Sequence, residues 1–127
     1  MNTKHVLIAE DDPVSCAILS SFLRKEGYGV TTAPDGRKSL DLILKSAGGN
    51  GNRRIDLLIT DINMPDLNGL DLIRNILGAD IPLPIIVVTG NNDEKTFVEL
   101  NRLGIRDVLR KPVRREEMIE RVASIFV

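Results

Sequence analysis

A chain of 127 residues, 43% hydrophobic and 28% charged, is long enough for one domain with its own core and too apolar for a disordered segment. Lys and Arg number 17 against 18 Asp and Glu, so a net charge of −1 gives no electrostatic reason to expect nucleic-acid binding. The N-terminus is not a secretory signal, and no apolar run approaches the roughly 20 residues of a membrane span, which leaves the cytoplasm by elimination.

Apolar runs of strand length alternate with segments of helical period. Val6 to Ala9 predicts a first strand. Pro13 to Glu26 predicts a first helix with Val14, Ile18, Leu19, Phe22 and Leu23 on its inner face and Gly27 after its end. Cys16, the single cysteine, falls in this helix; it excludes an intramolecular disulfide and is expected to be a buried, inert thiol. Val30 to Ala33 is a second strand, diluted by Thr31 and Thr32. Asp35 can cap a second helix with the stripe Leu40, Ile43, Leu44 and Ala47. Ser46 to Arg54, SAGGNGNRR, is glycine-rich but lacks the Gly-Lys-Ser/Thr of a phosphate-binding loop, so it is expected to be an exposed, mobile connection.

Leu57 to Thr60 is the third strand, Leu70 to Leu77 the third helix and Pro84 to Thr89 the fourth strand. Glu94 to Leu103 forms a fourth helix stopped by Gly104, Val108 to Arg110 a short fifth strand, and Arg115 to Phe126 a last helix. This alternation predicts a single α/β domain over residues 1–127, with a parallel sheet covered on both faces. The first, third and fourth strands are almost wholly apolar, as central strands must be. The second and fifth are shorter or more polar and belong at the edges, which with right-handed crossovers gives the order 2-1-3-4-5.

Ligands of such sheets bind beyond the carboxyl ends of the strands, at the switch point of the strand order. The first strand ends in Glu10, Asp11 and Asp12, the third in Asp61, the fourth in Thr89, and the fifth runs into Lys111. Crowded carboxylates repel unless a cation relieves them. An all-oxygen set suits a hard divalent ion such as magnesium, while the one histidine, His5, opens the first strand at the other end of the sheet. A metal, an ammonium and a hydroxyl together suit phosphoryl transfer, with a carboxylate as nucleophile.

EDDP at 10–13, DINMPDLNG at 61–69, VVTG at 87–90 and RKP at 110–112, in this order at strand ends, resemble the response-regulator receiver domains of two-component signalling, the chemotaxis-regulator-like fold. The resemblance covers essentially the whole chain. It implies that Asp61 is the phosphoacceptor. Asp11 is then a direct magnesium ligand, Glu10 acts through water, and the backbone carbonyl of Asn63 is a further ligand. Thr89 is the hydroxyl and Lys111 the ammonium that meet the phosphoryl group, and the Lys111–Pro112 bond is expected to be cis. It also implies a sensor histidine kinase or histidine phosphotransfer protein as donor, self-catalysed dephosphorylation, and an output domain or effector protein as recipient. Dimerisation through the fourth and fifth helices stays open.

Two departures stand out. Val108 lies where receivers often carry an aromatic residue that swings inward on phosphorylation, and Gly90 replaces the common alanine. Asn63 and Asn91 occupy positions that tune phosphate lifetime in the family. Each residue also has a plain reading. Asp12 before Pro13 fits an N-cap better than a metal ligand. Glu10 could be a solvated strand-end acid, Asp61 a turn-former, Thr89 an ordinary strand residue, and Lys111 a surface charge. Asp66 and Asn68 fit a turn and a cap, and Arg102, Arg106, Arg110, Arg114 and Arg115 a solvated basic face. Three functions compete: a phosphorylation switch, a receiver-like interaction module that no longer switches, and an aspartate-based phosphatase. The last typically has a second aspartate two residues after the nucleophile, where this chain has Asn63.

Overall fold

The computed structural model describes residues 3–49, 53–90 and 93–127. Five strands, β1 (His5–Ala9), β2 (Gly29–Ala33), β3 (Leu57–Thr60), β4 (Ile85–Thr89) and β5 (Asp107–Arg110), form one parallel sheet in the order β2-β1-β3-β4-β5. Helices α1 (Pro13–Lys25), α2 (Gly36–Gly48), α3 (Gly69–Gly78), α4 (Glu94–Arg102) and α5 (Arg115–Ile125) make the crossovers. Successive side chains of a strand point to opposite faces, so each central strand feeds two cores. Val6, Ile8, Leu57, Ile59, Ile86 and Val88 meet Leu19 and Leu23 of α1 and Met118 and Val122 of α5. Leu7, Ala9, Leu58 and Val87 meet α2 and α3 through Leu40, Ile43, Leu72, Ile73 and Ile76 on the other face. Each fully buried side chain of this kind contributes about 1.5–3 kcal/mol.

Strand order, element order and the edge positions of β2 and β5 agree with the sequence reading, and helix ends differ by a residue or so. The helix faces differ more. Val14 and Ile18 of α1 are 66% and 47% exposed, and Leu44 and Ala47 of α2 are also exposed. The apolar stripe of each helix is therefore wider than the face it buries, and the buried set includes small polar residues, Ser20 in α1 and Ser39 in α2. Cys16 is half-buried against the α1 core rather than enclosed.

The caps follow from side-chain chemistry. Asp12, Asp35, Asn68 and Asp93 each accept a hydrogen bond from a main-chain N–H of the first turn. Asp66 takes the left-handed conformation in the turn before α3. The connection expected from Ser46 starts later, because α2 runs to Gly48 and closes on Gly49 in the left-handed conformation. Ser46 Oγ then accepts the Ile55 N–H at 2.8 Å. Residues 50–52 of that connection and Asn91 lie outside the described residues.

Candidate functional site

The ladder carries three acidic groups to one edge. Glu10 N–H donates to Ala33 O and Asp61 N–H to Ala9 O, both at 3.0 Å, so the residue after each strand is still held in the sheet. Glu10 and Asp61 are 3% and 8% exposed, while Asp11 is open to solvent. Carboxylate oxygens of Glu10, Asp11 and Asp61 lie within 4.8 Å of one another.

Lys111 reaches into this cluster from beyond β5. Its Nζ donates to Glu10 Oε1 at 2.5 Å and to Asp61 Oδ2 at 2.9 Å. The Lys111 main-chain N–H donates to Thr89 O at 3.0 Å, and the Lys111–Pro112 bond is cis, as expected. Burial acts to lower the Lys111 pKa, but its bonds to Glu10 and Asp61 and their charges hold it above its ordinary value. Burial pushes Glu10 up, against the pull of Lys111 and of the Asp12 N–H, with the Asp61 charge adding to the rise. Glu10 and Asp61 thus share the Lys111 ammonium, with the Asp11 carboxylate close by.

The second Asp61 oxygen, Oδ1, accepts the Ile62 N–H at 2.6 Å, so both oxygens are held in the resting protein. The Asp61 carbonyl accepts from Thr60 Oγ1 at 2.7 Å on one side. Gly69 closes the other: its N–H donates to Ile62 O at 2.7 Å, and a β-carbon there would overlap the Asp61 carbonyl oxygen. This glycine is needed for close approach, a role that its place in the DINMPDLNG run does not disclose.

Thr89 is fully buried at the last position of β4, in register with Arg110. Asn63 lies exposed two residues past Asp61. The structure therefore gathers Glu10, Asp11, Asp61 and Lys111 in direct contact or close to it, with Thr89 and Asn63 on adjoining segments. Asp12 stands apart: its carboxylate accepts from Ser15 N at 3.0 Å, and the bonds to Ser15 hold its pKa below the ordinary value. The capping reading of Asp12 is the one the geometry supports. Sequence reading did not foresee that Glu10 grips Lys111 directly, since charge type alone does not say which acid an ammonium meets.

The model of the response regulator receiver domain matches residues 6–123. The chain belongs to the response-regulator receiver family. This receiver is 31% identical over 120 residues to the cell cycle transcriptional regulator CtrA of Caulobacter vibrioides, covering 94% of this chain and 49% of that protein. It is 34% identical over 122 residues to the TorCAD operon transcriptional regulatory protein TorR of Escherichia coli, covering 96% and 50%. The receiver thus spans about half the length of these relatives. A response regulator receiver protein from Pseudomonas putida superposes with a TM-score of 0.85 at 33% identity, over 98% of each chain. Among the described residues no helix is long and apolar enough to cross a membrane.

Proposed function

We propose that residues 1–127 form a single receiver domain that takes a phosphoryl group onto Asp61 from a phosphohistidine of a sensor kinase or phosphotransfer protein. The observation that carries this reading is Lys111, whose ammonium joins Asp61 and Glu10 at 2.9 and 2.5 Å beside Asp11. An Asp61 carboxylate oxygen forms the new O–P bond as the N–P bond breaks, and the electron pair and a proton end on the departing imidazole. Lys111 and the Thr89 hydroxyl then serve the phosphoryl oxygens, which bring about −1.5 to −2 units of charge.

The three carboxylates crowded within 4.8 Å, with oxygen as their only donor type, fit a hard divalent cation. Glu10, Asp11, Asp61 and the Asn63 carbonyl would hold magnesium, with Glu10 acting through water because Lys111 occupies its Oε1. When bound, such a cation neutralises charge on the phosphoryl oxygens. Water later hydrolyses the aspartyl phosphate on the domain itself, so the protein is a switch with self-catalysed turnover and not an enzyme acting on other molecules. The lack of a carboxylate at Asn63 supports that reading over a phosphatase. The new charge at Asp61 and Lys111 lies next to Thr89 and Arg110, through which the α4–β5–α5 surface would signal to an effector or output domain in the cytoplasm.

A second reading keeps one observation: Val108 is small and packs against the core beside α4, so a fixed docking module without a switch also fits. Incubation with acetyl phosphate and magnesium followed by intact-protein mass spectrometry separates them. A gain of one phosphoryl group in the native protein, and none in Asp61→Asn, is expected. No gain, under conditions that modify another receiver, favours the fixed module; turnover of a generic phosphate monoester favours the phosphatase.

A further inference from the structure

His5 opens β1 at the end of the sheet remote from Asp61, and only 7% of its surface is exposed. Both ring nitrogens are engaged: Nδ1 lies 2.6 Å from Arg53 Nε, and Nε2 lies 2.6 Å from Thr31 Oγ1. A guanidinium can only donate, so Nδ1 is the acceptor and carries no proton. The proton of the neutral ring then sits on Nε2 and is donated to the Thr31 hydroxyl. One tautomer of the uncharged ring is selected. A proton added at Nδ1 would set donor against donor and cation against cation.

The surroundings hold little that could accommodate that second proton. β2 presents Gly29 and Thr31, neither charged, and a β-carbon on Gly29 would lie 2.5 Å from His5 Nδ1 and 3.1 Å from Arg53. Lys4, the preceding residue, directs its ammonium over the Phe126 ring. On the segment entering β3, Asp56 is the one group that favours the charged ring. Its carboxylate is shared, accepting the His5 main-chain N–H at 2.8 Å and pairing with Arg54 at 3.2 Å. The Asp56 N–H in turn donates to the His5 carbonyl at 2.8 Å. Burial first, then the Arg53 charge, lower the His5 pKa, with Asp56 opposing.

We propose that His5 is a proton-operated latch, fastening Arg53 and the chain that enters β3 across β1 to β2 while the ring is neutral and releasing Arg53 when Nδ1 is protonated. The two strands it joins at this end, β1 and β3, are those that carry Glu10, Asp11 and Asp61 at the other. The latch does not depend on phosphorylation. Its sign follows from linkage. The unfolded chain binds the proton more readily than the folded one, so the stabilisation is fully present above about pH 6.5. It is lost progressively as pH falls from there toward the lower folded value.

His5 is the only histidine, so its ring signals in nitrogen-detected NMR need no variant for assignment. Across a titration from about pH 8 to pH 5, the intact chain is expected to show the Nε2–H tautomer alone at neutral pH. The ring midpoint should fall below about 6.5, and the Arg53 Nε–H signal should change with that same midpoint. Arg53→Met should move the midpoint upward. Mixed tautomers, a midpoint at or above about 6.5, an Arg53 signal that ignores the titration, or an unmoved midpoint in Arg53→Met would each overturn the latch.

Discussion

The two ends of the sheet both bury ionisable side chains, yet they treat charge in opposite ways. At the amino end, His5 stays neutral, its two nitrogens are matched by one donor and one hydroxyl, and Asp56 answers Arg54. At the carboxyl end, Glu10 and Asp61 share the ammonium of Lys111, and the solvent-exposed Asp11 stands beside them. A network closed on itself holds strands together; one left with surplus negative charge fits the cation and the phosphoryl group proposed for it. The difference comes mostly from a few residues at strand ends, because the central strands β1, β3 and β4 are almost wholly apolar between them.

The strongest way to break this contrast is to remove the shared ammonium. Lys111→Ala leaves Glu10 and Asp61 without their charged partner, and a loss of stability of about 1–3 kcal/mol or more is expected in chelator. Added magnesium should recover much of it, because the surplus charge can still be met from solution. Urea melts with and without the ion measure both, and an equal loss in the two conditions would show that the carboxylates do not hold a cation. Phosphorylation of this variant, where it occurs, should no longer change the α4–β5–α5 signals in an NMR spectrum.

Gly69→Ala tests the main chain beneath the site. A β-carbon must displace the Asp61 carbonyl or the start of α3, at a cost of about 1–3 kcal/mol from overpacking. Because the displaced atoms belong to the proposed phosphoacceptor, the rate of modification by acetyl phosphate should fall as well. A variant with lowered stability and an unaltered rate would separate Gly69 from the site.

The smallest change sharpens the boundary of the carboxyl-end cluster. Asp12→Ala removes the α1 cap and should lower the melting temperature slightly, while magnesium affinity, read by isothermal titration, stays near that of the native protein. A tenfold weaker ion would place Asp12 among the ligands instead.

Much of this was legible in the sequence, for a physical reason. Parallel strands buried on both faces demand unbroken apolar runs, so LLIT at 57–60 and IIVVT at 85–89 declare themselves, and a charged residue directly after such a run must lie at the sheet edge. Glu10 and Asp61 follow such runs, Thr89 closes one, and Lys111 follows the shorter, more polar β5. What periodicity could not give was which face of an over-wide apolar stripe turns inward. Val14 and Ile18 share the stripe with Leu19 and Leu23 but lie outward, because the helix touches the sheet through only part of its circumference. Nor could it pair side chains distant in the chain: Glu10 with Lys111, or His5 with Arg53 and Thr31, meet only through the register of the sheet. The histidine read as merely remote from the carboxylate cluster proved to be the centre of a second network.

The central claim is that Asp61 itself takes the phosphoryl group. Borohydride reduction of the protein after treatment with acetyl phosphate and magnesium converts an aspartyl phosphate to homoserine, which tandem mass spectrometry locates. Homoserine at position 61 and nowhere else is the expected result; a modified residue elsewhere, or none at all, would contradict it.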